Sequence, residues 1–401
     1  MAHLTTALIH HAYVPPEGFE APQPGVFKAS TVFFPSVAAM RSREWKDKSA
    51  YTYGLHGTPT TYALEERLCT LEGGQQCLLV PSGLAALALV ALSVLKSGDE
   101  VLMPDNAYGP NKALAEGELK DWGITHQYYD PMDALDLQAK MSSRTRLLWV
   151  EAAGSVTLEF PDLPALVRIC KANNVLVAID NTWGAGLAFK PFYLLPGTDP
   201  GLGVDISAHA LTKYPSGGGD VLMGSVITRD PGLHLRLKLT HMRLGLGVGA
   251  NDAEAVLRSL PSMALRYRAH DETARALALW CQAQPEFVQV LHPALTGSPG
   301  HEHWKALCVN GPGGAAGLFS VALDARFSQA QTDAFCDALK LFRLGYSWAG
   351  PVSLVVPYDL ATMRSGWPNH IAKGTLVRFA VGLEAFEDLR ADLARALTFL
   401  R

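Results

Sequence analysis

Residues 174–180, NVLVAID, place five consecutive apolar residues between an asparagine and an aspartate. A continuous apolar run, unlike an alternating one, predicts a strand that is buried on both faces, as in a parallel sheet covered by helices. Four other runs of strand length share this character: QQCLLV at 75–80, DEVLMP at 99–104, RLLWVEA at 146–152 and VLMGSVI at 221–227. The segment LPALVRICKANN at 163–174 carries apolar residues at helical spacing. The pattern predicts a doubly wound α/β domain.

The chain has 401 residues, whereas a typical domain has about 100–200. We therefore predict an N-terminal arm over residues 1–57 that contacts a neighbouring subunit, an α/β domain over 58–250, and a smaller α+β domain over 251–401. In the last of these, a long helical stretch is interrupted near Pro261, and a final helix covers 385–400.

The composition of the chain limits the kinds of ligand and partner that it is expected to bind. The residues are 48% apolar and 18% charged, and the net charge of −4 provides no basic surface for nucleic acid or for an anionic membrane. The six cysteines form no CxxC pair, which favours reduced thiols and a cytoplasmic protein. We expect no signal peptide and no membrane span. We also predict no metal site, because HEH at 301–303 lacks the spacing of a zinc motif. A small-molecule ligand fits these numbers best.

Three stretches could carry chemistry, and each has an ordinary alternative. Ser82-Gly83 opens a helix after a strand, so it predicts either an anion site or a plain N-cap. Asp180 ends a buried run, where it either caps a helix or pairs with a cationic ligand. Lys213 precedes three glycines at 217–219, and it is either a surface lysine or a desolvated amine that forms a Schiff base. Together, the three match what pyridoxal phosphate needs, with the glycines letting the backbone pass close to the cofactor.

At this point the sequence resembles the Cys/Met-metabolism lyases and transferases of the fold-type I pyridoxal-phosphate enzymes. This resemblance implies a large domain with a mostly parallel sheet flanked by helices, and a smaller α+β C-terminal domain. It rests on the order of these stretches: YGLHGTPTTYALEERLCTLEGG (53–74), VPSGLAAL (80–87), PDNAYGP (104–110), IDNTWGAGLAFKPF (179–192), ALTKYPSGGGDVLMGS (210–225), HPALTGSPGHEHWK (292–305), GYSWAGPVSLVVP (345–357) and GTLVRFAVGLE (374–384).

The resemblance assigns the cofactor site. It implies that Lys213 is the Schiff-base lysine and the proton-transfer base, and that Asp180 pairs with the pyridinium nitrogen. Tyr108 is expected to stack on the cofactor ring. The residues expected to contact the phosphate are Ser82, Gly83 and Thr212, together with Tyr53 reaching from a neighbouring subunit. The resemblance also implies that Tyr108 and Tyr53 are catalytic, alongside Lys213. Because Tyr53 would come from a neighbouring subunit, the active site would need at least a homodimer. Relatives suggest a tetramer built from two dimers.

For the substrate, the resemblance implies that Arg378 binds the α-carboxylate bidentately. Ser347, Trp348 and Ser155 are expected to line the substrate pocket. Within the family, the chain is most similar to members that act at the β carbon of L-cystathionine in methionine biosynthesis, because tryptophans occupy DNTWGAG and YSWAG. The alternatives are a broader cysteine-S-conjugate β-lyase or cysteine desulfhydrase, a γ-lyase or γ-synthase, and a cofactor-bound regulatory protein on the same scaffold.

Three positions depart from the pattern of the family. Leu55 stands where relatives usually carry an arginine that points at the phosphate, and His56 or backbone donors would have to substitute. Ala210 replaces a common serine, and Val352 replaces a common glutamate. We therefore expect a phosphate site with fewer side-chain contacts and a more apolar substrate pocket, which would also admit smaller S-substituted cysteines.

Overall fold

The five apolar runs supply five strands of a seven-stranded sheet. The computed structural model of the chain describes residues 6, 9, 16–18, 21–42, 45, 48–309 and 311–400. The strands of this sheet are β1 (Gln76–Val80), β2 (Glu100–Pro104), β3 (Thr125–Tyr129), β4 (Thr145–Glu151), β5 (Leu176–Asp180), β6 (Ile206–Ala210) and β7 (Gly224–Thr228). Their order is β1-β7-β6-β5-β4-β2-β3, and only β7 runs antiparallel to its neighbours. The predicted mostly parallel sheet is confirmed.

Burial on both faces explains why the central strands read as continuous apolar runs. In β4, Leu148 and Val150 pack into the core on one face of the sheet, while Leu147 and Trp149 pack into the core on the other. All four side chains are at most 2% exposed. Alternate residues of a strand point to opposite faces, so both faces must be apolar when helices cover both.

The helices of this first domain begin at recognisable caps. They are α1 (Val37–Ser42), α2 (Pro59–Glu72), α3 (Gly83–Val94), α4 (Gly109–Leu114), α5 (Ala134–Lys140), α6 (Leu163–Ala172) and α7 (Pro231–Leu244). A π-helical turn, Ala115–Leu119, follows α4. Thr58 forms a capping box with Thr61 at the start of α2, and Asp162 and Asp230 cap α6 and α7. Because side-chain oxygens satisfy the free backbone N–H groups there, these residues fix where each helix begins.

A second, smaller sheet follows in the chain. Its strands are β8 (Phe287–Leu291), β9 (Leu318–Leu323), β10 (Arg343–Leu344), β11 (Leu354–Tyr358) and β12 (Leu376–Ala380), in the order β10-β11-β12-β9-β8. The helices in this part of the chain are α8 (Ala250–Ser259), α9 (Met263–Gln282), α10 (His301–Leu307), α11 (Gln329–Ala338) and α12 (Phe386–Ala396). Helices α9, α11 and α12 contribute to the core of the smaller sheet, whereas α8 and α10 pack into the core of the large sheet. A 3-10 turn at Leu260–Ser262 interrupts the long helical stretch at Pro261. Phe319 and Phe379 stack at the centre of this domain, with ring centres 5.0 Å apart.

The described part of the N-terminal arm has little regular structure. Apart from α1 and a 3-10 turn at Gly54–His56, it makes one isolated bridge, between Thr31 and Tyr53. Phe33 is 93% exposed in the single chain. The rest of the predicted 1–57 segment lies outside the described residues. Among the residues that are described, no helix has the length and apolar content needed to cross a membrane.

Candidate active site

Lys213 lies in the loop that follows β6, at the carboxyl edge of the large sheet. Its Nζ donates a hydrogen bond to Ser347 Oγ at 2.7 Å and lies 5.7 Å from the centre of the Trp348 ring. Burial and the nearby Arg378 guanidinium lower the pKa of Lys213 to about 8. A lysine with this pKa has a substantial neutral fraction near neutral pH and can act as a nucleophile or a base. The structure thus brings Lys213 together with the predicted pocket residues Ser347 and Trp348.

Two carboxylates end neighbouring parallel strands beside this lysine. Asp180 ends β5, and it lies directly opposite Glu151, the last residue of β4. One Asp180 oxygen accepts hydrogen bonds from Thr182 N (3.0 Å) and Thr182 Oγ1 (2.5 Å). Burial raises the pKa of Asp180, whereas the Thr182 hydrogen bonds and the charge of Lys213 act to lower it. A protonated pyridine nitrogen would supply the positive partner that a buried carboxylate needs.

Glu151 is a site residue that was not predicted from the sequence. Its carboxylate accepts hydrogen bonds from Tyr108 N at 2.6 Å and Ser155 Oγ at 3.1 Å. Burial, and then the Asp180 carboxylate, raise the pKa of Glu151 to about 8. The signal was present in the sequence, because an acidic residue at the end of RLLWVEA occupies the same place as Asp180 in NVLVAID. Glu151 therefore holds both the loop of Tyr108 and the predicted pocket residue Ser155.

The Ser82-Gly83 turn lies tightly against the ends of β6 and β7. Ser82 Oγ accepts a hydrogen bond from Ala85 N at 3.0 Å and so caps α3. A side chain at Gly83 would put its Cβ 2.5 Å from the Ala210 Cβ, so only glycine fits. The first turn of α3 thus presents free backbone N–H groups at the sheet edge that carries Lys213, as a phosphate site requires. Ala210 forms the wall behind Gly83.

Thr212, the third predicted phosphate contact, binds the backbone of Met223. Thr212 Oγ1 accepts from Met223 N at 3.3 Å and donates to Met223 O at 3.4 Å. These bonds join the lysine loop to the segment that precedes β7. Of the three glycines after Lys213, Gly219 has open space where a Cβ would lie, and the close approach of this backbone to the cofactor stays a prediction. A Cβ at Gly217 would lie 2.0 Å from the Arg266 guanidinium, so this glycine makes room for a protein side chain.

Arg378 lies in the middle of β12, in the smaller domain, and is electrostatically coupled to Lys213. Its Nε is buried and has no hydrogen-bond partner among the described residues. Its guanidinium carbon is 5.3 Å from the centre of the Tyr358 ring. Burial lowers the pKa of Arg378, but arginine stays charged in proteins. The guanidinium also has a hydrogen bond with Tyr358, but it forms no salt bridge within the described residues, and such a buried cation suits an anionic ligand group such as a carboxylate.

Tyr108 precedes α4 and leaves its side chain 42% exposed. Burial is the main reason why its pKa is raised, followed by the charges of Asp180 and Glu151, while Arg378 opposes the rise. These interactions arise because its ring faces the same space as the two carboxylates. Tyr108 is therefore free to stack on a ligand that binds there.

Tyr53 is not brought to this cluster by the single chain. Its contacts within the described residues include the bridge to Thr31, a hydrogen bond that its carbonyl accepts from His56 N at 2.9 Å, and an edge-on contact with the His56 ring, whose centre is 6.0 Å away. His56 is itself engaged, since its Nδ1 lies 2.8 Å from Thr52 Oγ1 and its ring stacks on Trp45 at 4.8 Å. The contact of Tyr53 with a neighbouring cofactor stays a prediction.

The arrangement suits pyridoxal phosphate. A lysine with a lowered pKa, a buried carboxylate, a helix N-terminus and a buried arginine lie around the carboxyl edge of a mostly parallel sheet, which is where such folds bind ligands. Over residues 5–398 the sequence matches the family described as "Cys/Met metabolism PLP-dependent enzyme". The chain belongs to this family, and its cofactor is pyridoxal 5'-phosphate.

Three relatives show which enzymes of this family the chain is similar to. The chain is 38% identical to the cystathionine beta-lyase of Bordetella avium, with 98% of this chain and 97% of that protein covered. It is 34% identical to the cystathionine beta-lyase of Salmonella typhimurium, over 92% of this chain and 91% of that protein. Among solved structures, the cystathionine gamma synthase from Xanthomonas oryzae in complex with cystathionine is similar, with a TM-score of 0.83, 28% identity, and coverage of 96% of this chain and 95% of that one.

The lowered pKa of Lys213 gives a direct prediction for the cofactor-free protein. Amine-reactive reagents attack the neutral amine, and the neutral fraction of Lys213 grows as the pH rises through about 8. An ordinary lysine with a pKa of about 10.4 stays almost wholly protonated there. We expect acetylation of Lys213 by acetic anhydride, followed by peptide mass spectrometry, to be half-maximal near pH 8. Exposed lysines of the same sample serve as references, and a Lys213 profile parallel to theirs would contradict the assignment.

Proposed function

We propose that the chain is a cystathionine β-lyase, which converts L-cystathionine and water into homocysteine, pyruvate and ammonia. The observation that carries the proposal is the placement of Lys213 Nζ beside Ser347, Trp348 and the charge of Arg378. The relatives named cystathionine beta-lyase support it. When bound, pyridoxal phosphate supplies an electron sink for the pair that remains when the Cα–H bond breaks.

The residues of the chain divide the remaining work. Arg378 binds the substrate α-carboxylate and so fixes the orientation of the amino acid. Lys213 Nζ accepts the Cα proton, and a pKa near 8 suits a base that must be neutral at working pH. Ser347 Oγ, as the hydrogen-bond partner of Nζ, orients the amine. The thiol then leaves from Cβ. Asp180 holds the pyridine nitrogen protonated by pairing with it, which strengthens the electron sink.

The choice of β- over γ-elimination rests on the space around the lysine. Trp348 stands beside Nζ and packs edge-on against Tyr214, with ring centres 5.7 Å apart. γ-Elimination needs a further proton transfer at Cβ, and a bulky side chain fixed beside the amine leaves less room for the lysine to reach that carbon. The similarity to a γ-synthase structure makes this the first alternative to test.

A broader cysteine-S-conjugate β-lyase is a second candidate. Val352 is 51% exposed and lies in the segment that follows Trp348. An apolar side chain there offers no charge to the distal amino-acid group of cystathionine. If this position faces the substrate, smaller or uncharged leaving groups become acceptable.

Product analysis separates these candidates. The holoenzyme is incubated in turn with cystathionine, cystine and S-methylcysteine, and the 2-oxo acids are quantified. We expect pyruvate from cystathionine at the highest kcat/KM. Formation of 2-oxobutyrate from cystathionine would contradict β-elimination. A higher kcat/KM for cystine or S-methylcysteine would replace the proposal by the broader lyase.

We further propose that the active unit is at least a homodimer and that two dimers form a tetramer. Tyr53 is 47% exposed in the single chain, and Phe27 and Phe33 on the same arm are 54% and 93% exposed. Exposed apolar side chains of this size mark surfaces that pack against another chain. In this proposal, residues 1–57 form an arm that packs against the neighbouring subunit. The rest of each subunit consists of the domain over 58–250 and the domain over 251–401.

A further inference from the structure

A buried ion-pair cluster lies outside the residues used so far. Glu159 is fully buried, and its carboxylate accepts two hydrogen bonds from the Arg364 guanidinium, at 2.9 Å and 3.0 Å. It also accepts from Asn106 Nδ2 at 2.7 Å and Thr157 Oγ1 at 2.7 Å, and His370 Nε2 lies 2.5 Å from it. We call these five residues the Glu159 cluster.

The Glu159 cluster joins the two sheets of the molecule. Arg364 belongs to the connection between β11 and β12 of the smaller sheet, whereas Asn106 follows β2 of the larger one. The neighbouring residue Ser365 donates to the Asp105 carboxylate from its backbone N at 3.1 Å and from its Oγ at 2.9 Å. Lys112 Nζ adds a bond to the carbonyl of Met363 at 2.7 Å. Residues 363–365 are therefore held to Asp105 and Lys112, which lie on either side of Tyr108 in the chain. We call these contacts, together with the Glu159 cluster, the clamp.

Both sides of this clamp lead directly into the active site. Asn106 lies two residues before Tyr108, and its carbonyl accepts from Ser155 N at 3.0 Å. On the other side, the clamped connection begins after Tyr358, whose ring faces Arg378. The clamp thus ties the residue that stacks on the cofactor to the strand pair that carries the carboxylate-binding arginine.

The Glu159 carboxylate keeps its charge across the working pH range. Burial acts to raise the pKa of Glu159, but hydrogen bonds from His370 and Arg364 and the charge of Arg364 lower it to about 2. Arg364 Nε also lies 3.4 Å from Asp105 Oδ2. Removing Arg364 would leave the buried Glu159 carboxylate with only His370 as a possible cation, which strongly disfavours the clamped geometry.

We propose that Arg364 is a positioning residue that sets the spacing between Arg378 and Tyr108, and therefore the fit of the amino-acid substrate. The proposal rests on the proposed role of Arg378 in binding the α-carboxylate. Arg364 does not need to touch the substrate. The pairing of an arginine with a carboxylate depends on the two-pronged geometry, so a loosened clamp that displaces Arg378 should weaken substrate binding measurably.

The test compares Arg364→Met with Arg364→Lys and with the control Arg258→Met in the holoenzyme. Arg258 forms an exposed pair with Glu254 on α8, with its own side chain 67% exposed. The readouts are KM and kcat for cystathionine, and the dissociation constant of glycine from the change in cofactor absorbance. Glycine has no β carbon, so its binding can be measured even if the proposed elimination fails.

We expect Arg364→Met to raise both KM and the glycine dissociation constant by about 10-fold, with a smaller change in kcat. Arg364→Lys should recover part of this loss, because it keeps the charge but not the two-pronged geometry. Arg258→Met should match the wild type. If Arg364→Met lowers the thermal midpoint while both constants stay at wild-type values, the clamp is merely structural and the proposal is wrong.

A milder variant covers the case in which Arg364→Met does not fold. Ser365→Ala removes one hydrogen bond of the clamp and leaves the Glu159 cluster in place. We then expect a rise of about 3-fold in the glycine dissociation constant, since one neutral-to-charged hydrogen bond is partly lost. Wild-type glycine binding in Ser365→Ala would overturn the proposal.

Discussion

Replacing Lys213 with alanine is expected to reduce pyruvate formation by about 10³-fold or more, because one change removes both the covalent anchor of the cofactor and the base that takes the Cα proton. Within the described residues, Lys213 is the lysine that bonds to Ser347 and lies beside Trp348. The measurement is steady-state release of pyruvate and thiol from cystathionine under saturating cofactor.

Lys140→Ala is the matched control for this variant. Lys140 makes a half-buried pair with Asp136 one helical turn away, at 2.8 Å, and helical pairs at this spacing contribute about 0.3–0.5 kcal/mol. The control should therefore retain wild-type activity. Undiminished thiol release by Lys213→Ala would refute the proposed mechanism, whatever the outcome for the control.

Replacing Arg378 with methionine is expected to lower kcat/KM for cystathionine by about 10²-fold, mainly through KM. Loss of one partner of a buried, hydrogen-bonded charge pair costs about 2–5 kcal/mol, and each 1.4 kcal/mol is a factor of ten. The buried Nε that has no partner in the described chain is the structural reason for expecting a ligand there. Arg378→Lys should keep part of the affinity but lose the bidentate geometry.

Two further measurements make the Arg378 prediction specific. Arg268→Met, which disrupts an exposed pair with Glu272 on α9, should leave KM unchanged. The amount of bound cofactor without substrate should be the same in Arg378→Met as in the wild type, because Arg378 is assigned to the substrate and not to the cofactor. A wild-type KM in Arg378→Met would show that the carboxylate binds elsewhere.

Most of the large sheet could be predicted from the sequence because burial on both faces leaves a simple apolar signal. β3 (THQYY) escaped prediction since it is an edge strand whose exposed and buried positions alternate. β6 (ISAHA) escaped for a different reason. Its polar residues Ser207 and His209 are buried, and both bond to Glu72, more than 130 residues away in the chain. No local pattern reveals a partner at that distance.

Some residues of the candidate site could also be predicted from the sequence, and others could not. Asp180 and Ser82 could be found because each lies at the end of an apolar run, and the edge of a parallel sheet brings such positions together. Lys213 follows β6, which no apolar run marked, and the three glycines at 217–219 drew attention to it instead. The Glu159 cluster could not be found, because Arg364 and Glu159 are 205 residues apart and neither lies in a local motif. The role of Tyr53 needs a second chain and is beyond what a single chain can reveal.

Lys213 is the residue that we propose to carry the cofactor. Borohydride reduction of the holoenzyme makes the bond between a lysine Nζ and the aldehyde carbon of pyridoxal phosphate permanent, and peptide mass spectrometry then locates the modified residue. We predict that the added mass is found on Lys213, in the peptide that contains ALTKYPSGGGD. Modification of a different lysine, with Lys213 unmodified, would contradict the assignment of the site.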